Sequence, residues 1–207
     1  MTDAAVRNVT GDEGLAGHVS PSGPGSPSGP ATASGDEGLP GSWRLSVEPD
    51  DSPTATALFR EYYTEVAARY HVVHGFPPIT PEEIDEGLTE YPPGQLVPPH
   101  GELLVVRDGD EEAVGCGGLL LLDGGRTAEL KRVFIRTAWR GQGAAGVLMR
   151  ALERRAAELG AGRLRLDTRS DLVEAVALYR AYGYAEIPAY KEDPYSDLFF
   201  EKAVAGG

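Results

Sequence analysis

The sequence predicts an α/β domain with a mixed, mostly antiparallel central sheet. Apolar and alternating runs of strand length recur along the chain, separated by segments of helical periodicity. Turn sequences at residues 108–110 and 123–125 divide the middle of the chain into successive strands. The resulting order is β-α-α-β-β-β-α-β-α-β-β, which is typical of a sheet covered by helices.

The first 41 residues differ in composition from the rest of the chain. Residues 20–30 contain only Ser, Pro and Gly. Such a segment buries too little apolar surface to offset the entropy lost on ordering. We therefore expect residues 1–41 to form a disordered, acidic tail and residues 42–207 to form one domain.

The domain is expected to begin with one strand and two helices. Residues 43–47 alternate between apolar and polar side chains, as a strand does. Ser52 and Pro53 indicate the start of a helix that runs to about Tyr70, because proline suits the first helical turn. Residues 80–83, Thr-Pro-Glu-Glu, carry the capping-box signature of a second helix.

Six more strands and two more helices are predicted. The strands are expected at residues 103–107, 113–122, 128–135, 163–168, 185–187 and 198–204. The helices are expected at about residues 142–159 and 172–182. Each is followed by a glycine, Gly160 and Gly183, of the kind that ends helices.

Composition and charge argue against several classes of protein. The 207 residues hold 19 Lys and Arg against 32 Asp and Glu, a formal net charge of −13. This balance disfavours binding to nucleic acid or to anionic membrane. No apolar run reaches the roughly 18–20 residues that span a bilayer, and we expect no secretory signal. Cys116 is the only cysteine, so no intramolecular disulfide can form, and we expect a cytoplasmic protein.

A glycine-rich turn links the predicted strand 128–135 to the next helix. Residues 140–146 read Arg-Gly-Gln-Gly-Ala-Ala-Gly. Small residues let a ligand approach the backbone, and the N–H groups that open a helix bind anions such as a pyrophosphate. Arg140 adds a positive charge. The turn fits neither the Walker A nor the dinucleotide pattern, and it could equally serve only to pack a helix against a strand.

Three segments together resemble the GCN5-related N-acetyltransferase (GNAT) family. Residues 140–145 match its Arg/Gln-x-x-Gly-x-Gly/Ala pattern, and residues 129–135 are similar to its fourth strand. Residues 175–184 are similar to its Leu-Tyr-x-x-x-Gly-Phe segment. The resemblance covers about residues 43–204. It implies a sheet that splays between strands 4 and 5, about four flanking helices, and acetyl-CoA as cosubstrate.

The resemblance assigns the pyrophosphate of acetyl-CoA to the turn and its pantetheine arm to backbone groups near Val133 and Ile135. The residues expected to bind acetyl-CoA are Val133, Phe134, Ile135, Arg140, Gly141, Gln142, Gly143, Ala144, Ala145 and Gly146. Many members carry Asn where this chain has Leu172. That departure leaves a second hypothesis open, a non-catalytic module that only binds acyl-CoA.

Glu129 is the predicted general base. Acetyl transfer to an amine needs a base for the amine, donors for the oxyanion and an acid for the departing thiolate. The resemblance puts the strand of Glu129 beside the thioester. Period-two alternation predicts that Glu129, Lys131, Val133 and Ile135 share one face of that strand. Alternatively, Glu129 only pairs with Lys131 or Arg163.

Tyr179 is the predicted general acid. It matches the tyrosine that many family members place near the thioester sulfur. A tyrosine pKa near 10 lies close enough to that of an alkyl thiol to share a proton with it. Core packing on the helix is the alternative, and Tyr182 and Tyr184 are expected to pack rather than react.

Other reactive side chains are weaker candidates. Cys116 could accept an acetyl group, but a small buried thiol is favoured. His71 and His74 have the spacing of a metal pair, yet no third ligand stands at a convincing spacing, so we expect no metal. They are interpreted as the polar end of a helix or the rim of a substrate pocket.

The expected partner is a small-molecule or peptide amine. In the family, the first two helices and their connection, here residues 61–99, cover the acceptor. Five acidic side chains of this region could attract a cationic amine, although such residues also suit a helix start: Glu82, Glu83, Asp85, Glu86 and Glu90. Tyr190 could line the same pocket from the far side. We expect a monomer or homodimer that binds neither nucleic acid nor membrane.

Overall fold

A computed structural model describes residues 43–204, so the predicted tail, residues 1–41, lies outside the described residues. The strands are β1 Arg44–Glu48, β2 Gly101–Arg107, β3 Ala113–Leu122, β4 Thr127–Ile135, β5 Arg163–Thr168, β6 Ala185–Ile187 and β7 Leu198–Ala203. The helices are α1 Pro53–His74, α2 Pro81–Thr89, α3 Ala144–Glu158 and α4 Val173–Ala181. Within this part of the chain, no helix is long and apolar enough to cross a membrane.

The seven strands form one sheet in the order β1-β2-β3-β4-β5-β7-β6. Every neighbouring pair is antiparallel except β4 and β5, which run parallel. The parallel pair arises because α3 carries the chain back to the starting edge of the sheet before β5 begins. The predicted element order and the mixed, mostly antiparallel sheet with four helices are therefore confirmed.

The sheet opens between β4 and β5. The two strands pair only where Thr127–Glu129 meets Arg163–Arg165. Beyond that point β4 continues to Ile135 and β5 to Thr168 without pairing to each other. Among the described residues, the backbone edges that face this opening thus have no strand partner, and the predicted splay between strands 4 and 5 is confirmed.

A β-bulge at Arg132 changes which side chains of β4 face which side of the sheet. Arg132 has a φ of 52°, and the register with β3 shifts between Cys116 and Gly118. The prediction that Val133 and Ile135 share a face with Glu129 is wrong, because the extra residue reverses the alternation.

The helices cover the two faces of the sheet. Against α3 lies a core that includes Leu130, Ile135 and Leu148, with Val133 packed on it. Against α1 lies a second core that includes Leu58, Phe59 and Phe134. The bulge therefore sends Phe134 toward α1 and its two neighbours toward α3.

Helix α1 is longer than its sequence indicates. Ser52 caps its start by accepting a hydrogen bond from the N–H of Ala55 at 3.1 Å. The helix passes Tyr70 and ends at His74, where Gly75 takes the left-handed conformation with a φ of 70°. Helix α2 begins with the predicted capping box between Thr80 and Glu83.

Candidate active site

Four charged side chains meet beside the opening between β4 and β5. We call Glu129, Lys131, Asp167 and Lys191 the charge cluster. The Lys191 ammonium lies 2.8 Å from Glu129 Oε1 and 2.7 Å from Asp167 Oδ1. Lys131 Nζ contacts the same two oxygens, at 2.9 and 3.2 Å. Two carboxylates thus share two ammonium groups, and the cluster carries no net charge.

Glu129 is held by one oxygen of its carboxylate. Its side chain is buried, and Oε1 accepts hydrogen bonds from Lys131, Lys191 and the hydroxyl of Tyr190, the last at 3.0 Å. Within residues 43–204, no side chain or backbone group donates to Oε2. The three donors therefore fix the orientation of the carboxylate, while its second oxygen stays available to a ligand.

Asp167 is held in its deprotonated form and Lys191 in its protonated form. Burial pushes the pKa of Asp167 upward, but Lys131 and hydrogen bonds from Lys191 and Ser196 outweigh it, so this pKa lies well below its ordinary value. Burial would lower the pKa of Lys191, yet its bonds to Asp167 and Glu129 raise it above the usual range. Lys191 is thus protonated at neutral pH.

Tyr179, the predicted acid, is a core residue that lies within electrostatic range of Asp167. Tyr179 lies in α4 and is buried, with its ring 6.0 Å from that of Tyr184 and 6.3 Å from that of Phe200. Burial raises its pKa, and the nearby Tyr62 and Asp167 raise it further. The hydroxyl therefore stays protonated at neutral pH. The predicted acid and Asp167 of the charge cluster are electrostatic neighbours.

Tyr62 of α1 packs beside the bulge of β4. Burial, followed by Tyr91 and Asp167, raises the pKa of Tyr62 to about 12, while Arg132 acts in the opposite direction. The Tyr62 ring packs edge-on against Phe134, with centroids 6.1 Å apart. Tyr62 thus lies within electrostatic range of both Asp167 and Arg132.

The glycine-rich turn precedes α3 with an open backbone. Gly141 and Gly143 have φ values of 76° and 96°, a conformation that favours glycine. Within residues 43–204, no side chain caps the start of α3, so the N–H groups of its first turn have no intrahelical or capping partner there. Gly146 has a different role: a Cβ there would lie 2.7 Å from the Tyr182 hydroxyl, so this glycine makes room for α4.

The guanidinium of Arg140 is tied to α1. It donates to both carboxylate oxygens of Glu65, at 2.8 and 2.7 Å, and to the carbonyl of Ile135 at 2.8 Å. Arg136 pairs with Glu61 one helical turn earlier, at 2.7 Å. The positive charge expected at the turn is therefore balanced by an acidic residue of α1. A cavity of about 540 Å³ lies between α1 and this end of β4.

The weaker candidates have structural surroundings. Cys116 is fully buried, and burial raises the pKa of its thiol to about 12, as expected for a packing residue. His71 and His74 lie at the end of α1, where their Nδ1 atoms contact the carbonyls of Pro77 and Tyr70. Within the described part of the chain, no three His, Cys, Asp or Glu side chains are grouped to hold a metal.

The acidic residues of α2 are exposed and partly engaged within the fold. Glu83 completes the capping box, and Asp85 pairs with Arg60 of α1. Leu172, where many family members carry Asn, precedes α4 and makes no side-chain hydrogen bond to the start of that helix.

The structure brings Glu129 and Tyr190 together, and Tyr179 lies within electrostatic range of Asp167. The structure separates Arg140 from them, at the far end of β4. The sequence alone did not identify Asp167 and Lys191 as site residues. The alternation Arg163, Arg165, Asp167 in β5 indicates a polar face and could have pointed to Asp167. Lys191 lies in the β6–β7 connection, whose path no local pattern predicts.

Comparisons with known proteins identify the family and the fold. A family model described as "Acetyltransferase (GNAT) family" matches residues 59–184. An uncharacterized N-acetyltransferase of Schizosaccharomyces pombe is 28% identical over 152 residues, which cover 73% of this chain and 87% of the relative.

Solved structures show the same fold. A Klebsiella pneumoniae chain named as an acyl-CoA N-acyltransferase has a TM-score of 0.58 and 29% identity, covering 79% of this chain and 98% of the other. A spermidine N-acetyltransferase of Vibrio cholerae, in complex with CoA and spermine, has a TM-score of 0.55 and 15% identity over 80% and 97% of the chains.

Proposed function

Because the chain belongs to the GNAT acetyltransferase family, we propose that it transfers an acetyl group from acetyl-CoA to a primary amine of a small molecule or peptide, by direct attack in a ternary complex. N-acetyltransferase activity in general follows from the family and from the relatives' names. The acceptor, the direct attack and the residue roles are our proposal.

The observation that carries the proposal is the opening between β4 and β5, with the charge cluster at its closed end and the glycine-rich turn at the other. The pantetheine arm of acetyl-CoA would pair with the free edge of β4 near Val133 and Ile135, as an added strand does. Its pyrophosphate would bind the unpaired N–H groups before and within the first turn of α3.

Glu129 acts as the base in this proposal. The acceptor ammonium gives a proton to Oε2, directly or through a water molecule. The neutral amine then attacks the thioester carbon, and unpaired N–H groups of β4 stabilise the oxyanion. Oε1 cannot take this role, since three donors already occupy it.

Tyr179 acts as the acid when the intermediate collapses. The C–S bond breaks, its electron pair goes to sulfur, and the Tyr179 hydroxyl supplies the proton that converts the thiolate to CoA thiol. The nitrogen loses its second proton at this step, and that proton restores Tyr179. The raised pKa of Tyr179 keeps the hydroxyl protonated at neutral pH but makes it a weaker acid than an exposed tyrosine. The pKa match expected from sequence is therefore lost, and the proton reaches sulfur only in the same step in which the nitrogen returns one to Tyr179.

The cationic acceptor, the cytoplasmic location and the monomeric or homodimeric state stay predictions. The V. cholerae structure supports the first only at the level of the fold, which there holds CoA and spermine together.

Release of CoA thiol from acetyl-CoA across an amine panel tests the proposal, alongside calorimetry with CoA. We expect CoA binding and amine-dependent release of thiol. Tight CoA binding without transfer to any amine would instead support the non-catalytic acyl-CoA-binding module. Absence of CoA binding would contradict both functions.

A further inference from the structure

Arg132 stands at the bulge of β4 in a conformation that side chains seldom adopt. Its φ of 52° is left-handed, which costs a non-glycine residue free energy that the surrounding fold must supply. The bulge turns Arg132 to the side of the sheet that α1 covers. Strained residues of this kind cluster at ligand sites.

The guanidinium of Arg132 has no anionic partner in the described part of the chain. Its neighbours along the sequence, Arg136 and Arg140, each pair with a carboxylate of α1. Arg132 instead lies over the ring of Phe59, 4.1 Å from its centroid, and 5.3 Å from that of Tyr91. Its five N–H donors are thus available to a ligand in a planar fork that suits a carboxylate.

The surroundings make this unpaired charge costly. Burial lowers the pKa of Arg132, and the nearby Asp50 already accepts hydrogen bonds from the N–H groups of Gly94 and Leu96. A desolvated cation on aromatic rings gains when an anion binds it. No carboxylate of the described residues lies within ion-pair distance of Arg132. We therefore expect a bound ligand to supply the anion.

Arg132 also lies on the acceptor side of the proposed site. Arg132 directly follows Lys131, whose ammonium lies 2.9 Å from Glu129 Oε1, and its guanidinium lies over Phe59 on the α1 side of the sheet. Tyr62 of α1 packs against Phe134, two residues further along β4. A ligand lying along Tyr62 could therefore present one end to Arg132 and the other to Glu129. The first end would be anionic and the second an amine.

We propose that Arg132 binds the carboxylate of the acceptor, and that the acceptor is an amino acid. This inference rests on the proposed acetyl transfer and narrows its substrate class. Phe59, Tyr62 and Tyr91 would form the apolar wall beside the bound molecule. Arg132 is thus a specificity-determining residue, while Glu129 keeps its role at the amine.

The test compares each of the common amino acids with its carboxamide, which keeps the amine and removes the negative charge. For the preferred amino acid we expect kcat/KM to exceed that of its carboxamide by roughly 10- to 150-fold, the range for a hydrogen bond to a charged group. Arg132→Gln should abolish this preference by slowing the amino acid only. Arg132→Lys should keep part of it, because the charge stays and the fork is lost.

Arg126→Gln is the matched control, since Arg126 is an exposed arginine just before β4 that has no part in the proposed site. It should leave the preference unchanged. Thermal unfolding of each variant checks that the fold is kept. Calorimetry of the CoA-saturated protein with the same ligands measures the preference independently of turnover. If Arg132→Gln proves unstable, Arg132→Lys replaces it in both the kinetic and the calorimetric assay.

The two claims fail in different ways. Equal rates and affinities for amino acids and carboxamides, or a preference that survives Arg132→Gln, would overturn the carboxylate site while acetyl transfer stands. Acetylation confined to amines without a carboxylate would do the same. If no amine is acetylated, the proposed function is contradicted. If, in addition, no amino acid binds the CoA-saturated protein, the carboxylate site at Arg132 is overturned too.

Discussion

Glu129 combines two properties that seldom occur together. It is buried and surrounded by charge, which fixes its position, yet only Oε1 is used by its three donors. A carboxylate with both oxygens occupied would be purely structural. The free Oε2 is what separates the interpretation of Glu129 as a base from the alternative that it only pairs with Lys131.

Glu129→Gln should lower kcat by about 100-fold or more, the contribution typical of a positioned base. The amide keeps the shape of the side chain but cannot take the proton, so the Kd for CoA should stay within about twofold of wild type. Steady-state kinetics and calorimetry measure the two quantities.

Glu102→Gln is the matched control for that variant. Glu102 is a buried glutamate of β2 that pairs with Arg155 at 2.8 Å, far from the opening. Its loss should lower the melting temperature without changing kcat. An equal fall of kcat in both variants would mean that Glu129 acts only through stability.

Asp167→Asn should change the acid stability of the protein. The folded pKa of Asp167 is depressed, so its stabilisation is present above the unfolded pKa of about 4 and is lost as the pH falls through the folded pKa. At pH 7 the variant should lose about 3 kcal/mol of unfolding free energy, as expected when a buried ion pair is broken.

Denaturant unfolding from pH 7 to about pH 2 measures this effect. The difference between wild type and Asp167→Asn should shrink as the pH falls below 4. Asp85→Asn removes an exposed partner of Arg60 and should leave the pH dependence unchanged. Parallel curves for wild type and Asp167→Asn would show that Asp167 is not a stabilising anion.

The residues that sequence alone could identify are those in patterned segments. Glu129 and Tyr179 lie in a strand and a helix that the family motifs mark. Lys191 lies in the irregular β6–β7 connection and reaches Glu129 across 62 positions of sequence. Such a contact depends on how the chain folds over the sheet, which periodicity does not encode.

Strand β4 shows how an element can be predicted in extent but not in detail. Its predicted bounds differ from the observed ones by a single residue, because its apolar run ends at clear turn sequences. The bulge at Arg132 was not predictable, since it depends on the register with β3 and on Gly117 facing the extra residue. One added residue moved Val133 and Ile135 to the α3 side.

Helix α1 and the glycine-rich turn are joined by the ion pair between Glu65 and Arg140. Glu65→Gln should tighten CoA binding by about threefold to fivefold at low salt, because a carboxylate no longer competes with the pyrophosphate for Arg140. The gain should fade at high salt, where exposed charges are screened. Calorimetry at two salt concentrations measures it.

Glu82→Gln removes an equal charge from the exposed start of α2 and controls for net charge. It should change CoA affinity by less than twofold. Weaker CoA binding in Glu65→Gln would mean that the ion pair positions Arg140 for the cofactor rather than competing with it.

The ion pairs show how part of the negative charge behind the net value of −13 is distributed over the folded domain. Acidic side chains of α1 are matched to the arginines that follow β4, and the charge cluster is neutral. The acidity therefore does not mark the cofactor end of the opening. The fold class was predictable because element order alone implies a mixed sheet, while the placement of charge required three-dimensional contacts.

The central claim is that acetyl-CoA binds in the opening between β4 and β5, and hydrogen exchange with and without CoA tests it most directly. CoA should slow exchange at backbone amides of Lys131–Ile135 and of the turn and first residues of α3, which have no partner strand or cap on that side. Amides of β1 and β2 should be unchanged. Protection elsewhere on the sheet, with none at β4 or the turn, would contradict the account.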